Sequence, residues 1–356
     1  MTNIMNKIAI IGTVGIPACY GGFESLVQNL IDNQSNDVSY TVFCSAKSYE
    51  IKQKFYKKAQ LKYIPLKANG ISSILYDVIS LLSCLRVKYD AILILGVSGC
   101  LILPLFRLLS RTKVITNIDG LEWRRNKWGK FTKLFLKVSE KIAVKYSDVV
   151  IADNQAIGDY VKSEYNKDCV VIAYGGEHAL IRDVVIPKKK SDYYLSLCRI
   201  EPENNVSMIL ETFSHLPYKL KFVGNWNNSD YGINLKCKYS KCENIEIIDP
   251  IYDIEQLFLL RSLCKAYIHG HSAGGTNPSL VEAMQFGMDI IAFDCKFNRY
   301  TTEEKAHYFS NSLGLKKIID SLESDNVYGN GNHMSEIALR RYQWSAISKQ
   351  YEMTYK

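Results

Sequence analysis

Two α/β domains, each built on a parallel sheet, are what three features of this sequence predict. The chain has 356 residues with 47% hydrophobic content, enough to bury two cores of ordinary size. Short apolar strands alternate with helical segments, which places parallel strands in sheets covered on both faces. Two glycine-rich loops, near residues 12–22 and 270–277, each join a strand to a helix. The expected boundaries are a first domain at 1–180, a linker at 181–191 with Pro187 and Lys188 to Lys190, a second domain at 192–335, and a helical tail at 336–356 with Trp344. The ten cysteines are scattered, with no Cys-x-x-Cys and no Cys/His cluster at metal-ligand spacing, as for reduced core residues of a cytosolic protein. Lys7 to Gly12 reads as a strand rather than a secretory leader, and the most apolar run, Ala91 to Leu109, is too broken by Gly96, Gly99, Pro104 and Arg107 to span a membrane.

In order, Lys7 to Ile11 is a continuous apolar strand of the buried parallel type. It runs into Gly12-Thr13-Val14-Gly15-Ile16-Pro17-Ala18-Cys19-Tyr20-Gly21-Gly22-Phe23-Glu24 and a helix through Leu30, with neither Gly-x-Gly-x-x-Gly nor a Walker lysine. A strand at Tyr40–Cys44, a helix to Lys58, a strand at Leu61–Ile64, a helix over Ser72–Arg86 and a strand at Ala91–Leu95 follow. The strand Lys113–Ile118 delivers Asp119-Gly120-Leu121-Glu122-Trp123-Arg124-Arg125 to its carboxyl end, where ligands bind in doubly wound folds. Asp119 is either a site residue or a turn cap before Gly120, and Glu122 either a site residue or a partner of Arg124 or Arg125. From Arg107 to Lys145 the only acids among many Lys and Arg are Asp119, Glu122 and Glu140. Within this basic region, Lys127 to Tyr146 reads as a helix with Phe131, Leu134, Phe135, Val138, Ile142 and Val144 on one side and lysines on the other. Such a face is either solvated over a packed helix or a patch for anionic lipid headgroups or a diphosphate-lipid; no nucleic-acid module appears. Strands at Asp148–Ala152 and Cys169–Ala173 close the domain, and His178 in the following loop reads as structural rather than catalytic.

The second domain restarts with a strand at Tyr193–Cys198 and the turn Arg199-Ile200-Glu201-Pro202-Glu203-Asn204-Asn205. Leu220–Val223 ends in Gly224, Glu246–Ile248 is another strand, Asp249–Tyr252 a loop, Ile254–Arg261 a helix and Leu263–Ile268 a strand. The loop His269 to Asn277 then enters a helix over Ser279–Gln285, with Pro278 in its first turn and Gly287 as its stop, before a last strand at Ile290–Asp294. The loop is either a surface turn or an anion site, where the backbone N–H groups of Thr276 to Leu280 and the helix dipole meet a phosphate. Glu282 is either a solvated carboxylate or an acceptor for a ribose diol.

Three stretches, 12–24, 117–128 and 269–287, resemble the retaining family 4 glycosyltransferases, and within them a bacterial rhamnosyltransferase-like subgroup of capsule and cell-wall polysaccharide assembly. The resemblance implies the GT-B architecture, two facing Rossmann-like domains with a C-terminal helix returning to the first. It carries donor binding to Gly21, Gly22, Arg199, Gly224, Gly274, Gly275, Thr276, Asn277, Pro278, Ser279, Leu280 and Glu282. Tyr20, Glu24, Glu122, Arg124 and Arg125 fall on the acceptor side, and Asp119, Arg199 and Glu282 take the catalytic roles. This sequence departs from the family at Gly274, where the first of two glutamates usually stands, and at Asn204, usually a lysine. No Asp-x-Asp triplet occurs, so the implied reaction uses no metal or cofactor and the leaving diphosphate is stabilised by Arg199 and backbone amides. The implied donor is dTDP-rhamnose, or another dTDP-, UDP- or GDP-linked sugar, and the acceptor a lipid-linked saccharide at the inner face of an anionic membrane. A catalytically weak scaffold subunit and a nucleotide-sugar epimerase are the alternatives.

Overall fold

The computed structural model describes residues 5–18, 21–70, 72–118, 120–124, 128–181, 183–185, 191–324 and 329–356. The chain forms two compact units, one of residues 1–173 with 344–356 and one of residues 174–343. In chain order the first unit holds β1 (Asn6–Ile11), α1 (Gly22–Asp32), β2 (Val38–Ser45), β3 (Phe55–Tyr56), β4 (Ala59–Ile64), α2 (Ser72–Ser83), β5 (Ala91–Leu95), α3 (Leu103–Leu109), β6 (Lys113–Asn117), α4 (Lys130–Tyr146), β7 (Val149–Ala152), α5 (Gln155–Tyr165) and β8 (Val170–Val171). The second holds β9 (Tyr194–Leu197), α6 (Val206–Ser214), β10 (Leu220–Val223), α7 (Asp230–Tyr239), β11 (Ile245–Ile248), α8 (Ile254–Leu263), β12 (Ala266–His269), α9 (Pro278–Met284), β13 (Asp289–Phe293), α10 (Lys296–Thr301), β14 (His307–Phe309), α11 (Ser312–Glu323) and α12 (Gly331–Arg341). The last helix, α13 (Trp344–Tyr355), belongs to the first unit.

Both sheets are doubly wound, as Rossmann-like cores are. The first runs β3-β4-β2-β1-β5-β6-β7-β8, parallel except for the β3–β4 hairpin. The second runs β11-β10-β9-β12-β13-β14, parallel throughout. Strand order reverses between β1 and β5 in one and between β9 and β12 in the other, and ligands of such sheets bind outside the strand carboxyl ends at that reversal. The strands there are the apolar runs that burial on both faces demands: Ile8 to Ile11, Ile92 to Leu95, and Ala266 to Ile268 are all buried.

Several elements differ from expectation. Residues 46–58 form no helix; Lys57, at φ 49°, turns the chain from β3 into β4. A helix there would have had no buried face, since Ile51 and Phe55 are both exposed. The strand at 290–294 is not the last, because β14 adds an edge beyond β13. The tail is two helices broken at Tyr342 and Gln343, and only the second lies in the first unit, where Tyr351 accepts a hydrogen bond from Asn117 at 2.8 Å and Glu352 one from the backbone of Ser35 at 2.7 Å. The units part at 173/174 and 343/344, against sequence boundaries at 180 and 336; Pro187 and Lys188 to Lys190 of the expected linker lie outside the described residues.

The largest difference is in α4. Leu136, Ser139, Glu140, Ala143 and Val144 are its buried stripe, while Phe131, Leu134 and Val138 are exposed. Small residues let α4 approach the preceding layer, where Ser139 donates to the carbonyl of Val97. The buried Glu140 is satisfied by the indole of Trp123 at 3.1 Å and the hydroxyls of Tyr160 and Tyr165, each at 2.6 Å. Of the six apolar residues that the sequence groups on one side, Val144 is thus buried, Phe135 and Ile142 are half-buried, and Phe131, Leu134 and Val138 face out.

Candidate active site

In the first unit the loop after β1 is tied to its own helix. Glu24 is buried, and its Oε1 accepts from the Thr13 hydroxyl at 2.9 Å and the Val14 N–H at 2.7 Å. Burial pushes its carboxyl pKa up despite these bonds. Glu24 therefore holds the loop in shape, where the sequence had placed it on the acceptor side. Gly21 caps α1 at φ 101°, and a Cβ there would stand 2.4 Å from the Glu24 carboxylate. Gly22 opens α1. Beyond β6, Glu122 accepts from the Trp128 indole at 3.1 Å, and the Arg124 guanidinium stacks 5.1 Å from the ring centres of both Trp123 and Tyr160. Tyr20, Asp119 and Arg125 lie outside the described residues.

In the second unit, Arg199 and the loop that runs to α9 follow the two strands at the reversal, β9 and β12, while Gly21 and Gly22 of the predicted donor set belong to the first unit. Cys198 and Arg199 leave the end of β9, and the loop from Gly270 leaves β12, its in-register neighbour. The two turns are stitched: Asn205 donates its amide to the Gly270 carbonyl at 2.8 Å, and Ser272 donates both its N–H and its hydroxyl to the Glu203 carbonyl at 2.9 and 2.8 Å. Asn204 is buried, with its amide on the Arg199 carbonyl at 2.7 Å. At the position where relatives of the expected family carry a cation, this chain thus has a backbone brace. The Arg199 side chain is 45% exposed, with Glu201 Oε1 at 3.9 Å. Gly224, at the end of β10, lies against Cys198 and Ile200.

The loop before α9 supplies fewer phosphate-binding amides than expected. Pro278 has no N–H, Ser279 N–H bonds the Asn277 side chain at 3.0 Å, and Leu280 N–H bonds the Asn277 carbonyl at 3.1 Å. Asn277 is an N-cap of the usual kind, and of the amides expected from Thr276 to Leu280 these three take no part. The Ser279 hydroxyl donates to Asn277 Oδ1 at 2.8 Å and accepts from Tyr267, which bridges back to β9. Thr276 and Leu280 are buried. Gly274 has φ 122° and open space where its Cβ would be. A glutamate there would find room but would strain the backbone as it stands.

Glu282 is neither solvated nor alone. Its carboxylate, 14% exposed, receives the guanidinium of the buried Arg261 on one oxygen and His178 Nε2 at 3.2 Å on the other. Burial opposes the charge, but Arg261 and then His178 outweigh it, and the pKa falls below the usual carboxylate value. A carboxylate has about four lone-pair sites, so an open edge can still accept from a diol. Sequence reading missed Arg261, which sits in an otherwise ordinary helical stretch, and read His178 as structural without pairing it to Glu282. Nearby, His269 is 1% exposed, stacks on His271 with ring centres 4.3 Å apart, and is driven by burial to a pKa of about 3.

Residues 178–338 match the family model described as glycosyl transferases group 1. That stretch is a little under half of the chain. It coincides closely with the second unit, at 174–343, while residues 5–177 match a domain of unknown function, DUF1972. No curated protein matches the chain. Among solved structures it is similar to sucrose-phosphate synthase from Thermosynechococcus elongatus, with 15% identity, 98% of each chain covered and a TM-score of 0.78. It is also similar to HepE from Anabaena in complex with UDP-glucose, with 14% identity, 98% and 99% covered and a TM-score of 0.72. The lipopolysaccharide outer core galactosyltransferase WaaB aligns at 15% identity, with 98% of both chains covered and a TM-score of 0.69. These likenesses establish GT-B-type Rossmann-like cores for both halves of the chain. Its reaction has to be argued from the site.

Proposed function

We propose that this glycosyltransferase is a retaining, metal-independent enzyme of family 4 that moves rhamnose from dTDP-rhamnose to a lipid-linked saccharide during capsule or cell-surface polysaccharide synthesis. The features that support the transferase chemistry lie on the elements that leave the β9–β12 reversal: an exposed Arg199 after β9, the glycine-rich loop before α9 with its backbone amides, and the ion-paired Glu282 on α9. Arg199 and the amides offer positive charge where a diphosphate leaves, and such preorganised donors stabilise charge as it develops. Glu282, kept ionised by Arg261 and His178, offers acceptors to a ribose diol. HepE, of similar fold, was solved with UDP-glucose, which supports a nucleotide-linked sugar as donor. The dTDP base, rhamnose, the retaining course and the acceptor rest on the resemblance of the three sequence stretches.

Thermal stabilisation by UDP, GDP, dTDP and their sugars, with EDTA present, tests this reading. A saturating donor at a hundred times its dissociation constant adds about 2.7 kcal/mol. The expected result is stabilisation by the dTDP series, reduced in Arg199→Ala and Glu282→Gln. Stabilisation by UDP or GDP alone would replace the donor assignment, and no response to any nucleotide would leave the scaffold alternative.

A further inference from the structure

Two helices of the first unit turn apolar rather than polar stripes outward. On α3 and the turn before it, Leu101, Leu105, Leu108 and Leu109 are exposed, Leu108 at 83%. On α4, which packs against both, the outward stripe is Phe131, Leu134 and Val138, with Phe131 at 92%, continued at helical spacing by exposed Lys141 and Lys145. Exposed Arg111 and Lys130 follow α3 and open α4. Neither helix carries an outward acid: α3 has none, and the single carboxylate of α4, Glu140, is buried under Trp123, Tyr160 and Tyr165. Single exposed apolar residues are ordinary, but clusters of them mark an interaction surface. A protein partner of average surface would answer the leucines and phenylalanine without explaining the uniform positive charge. An anionic bilayer answers both, taking apolar side chains into the acyl boundary and basic ones at its headgroups.

We infer that α3 and α4 form the face by which this protein docks on an anionic membrane, with Leu105, Leu108, Phe131 and Leu134 inserted and Lys130, Lys141 and Lys145 at the headgroups. Among the described residues no helix is long and apolar enough to cross a membrane, so the attachment is interfacial. Its use to the protein rests on the lipid-linked acceptor proposed above; its physical case rests on the two helices alone.

Full-length protein is sedimented with vesicles of phosphatidylcholine and with vesicles of equimolar phosphatidylcholine and phosphatidylglycerol. Binding is expected on the mixed vesicles, weakened by salt. Phe131→Ser with Leu134→Ser should lower partitioning at least about tenfold, the loss expected from two buried apolar side chains. Lys141→Glu with Lys145→Glu should weaken it on mixed vesicles alone, by about fivefold or more for each lysine removed. These exposed positions should leave thermal unfolding and its response to nucleotides unchanged. Failure of docking is thereby separable from failure of the transferase reading. Equal vesicle binding by wild type and both variants would overturn the inference, as would a wild-type dimer in solution that the Phe131/Leu134 variant dissociates, since a second copy would then cover the face.

Discussion

Each unit places a glutamate in the helix that follows its glycine loop, and the two are held in opposite ways. Glu24 turns into its own loop, bonded by Thr13 and Val14, and its pKa is pushed up by burial. Glu282 faces a buried arginine and a histidine, and its pKa is pulled down. Similar sheets with similar loops thus yield a loop clamp in one case and a fixed negative charge in the other. What separates them is the neighbouring element: α8 supplies Arg261 to Glu282, whereas among the described residues it is the loop's own Thr13 and Val14 that bond Glu24 Oε1.

Removing the Glu282 carboxylate is the most damaging way to break this contrast. Glu282→Ala leaves Arg261 buried without its partner, and denaturant unfolding should show a loss of about 3–5 kcal/mol. A loss below about 1 kcal/mol would mean that solvent reaches the pair and weakens it. Arg199→Ala is expected to lower kcat by about 100- to 1,000-fold, while its half-exposed side chain keeps the stability change within about 0.5 kcal/mol. In the first unit, Glu24→Ala should cost about 1–3 kcal/mol by leaving the Val14 N–H unsatisfied. Glu24→Gln retains the accepting oxygen and should cost less, whereas Glu282→Gln gives up its ion pair; if both glutamines cost the same, the contrast fails.

Titration sharpens it. Glu282, with its folded pKa lowered, contributes stability that is present above its unfolded value near 4.5 and lost as pH falls through the folded value. Glu24, with its pKa raised, acts oppositely: its penalty is relieved as pH falls. His269 must be set apart first. Its pKa drops from 6.5 to about 3 on folding, so stability should fall by about 1.4 kcal/mol for each pH unit between those two values as pH is lowered. His269→Leu should flatten that slope in denaturant unfolding followed against pH. At Gly274, alanine at φ 122° should cost about 1–3 kcal/mol in denaturant unfolding, through backbone strain alone.

Strands buried on both faces were legible because they read as unbroken apolar runs; Ala91–Leu95 and Leu220–Val223 stand where their residues predicted. The donor loop was legible because Pro278 and Asn277 mark a helix start by local chemistry. Residues 46–58 and α4 were not. Charge and apolar spacing are compatible with a helix at 46–58, but nothing in the sequence says whether a core lies beneath it. In α4 the periodicity is real, yet the stripe that packs is the one with Ser139 and Ala143, because close approach needs small side chains.

The sequence by itself determined two α/β units, their strands, the glycine loops and the presence of Arg199 and Glu282, since each follows from backbone preferences and apolar runs within a short window. Only the tertiary structure decided that Arg261 and His178 hold Glu282, that Asn204 braces Arg199 instead of adding a charge, and that the apolar stripe of α4 faces outward. These depend on which residues meet across long separations, and on which face of an element finds a partner, information that no local pattern contains.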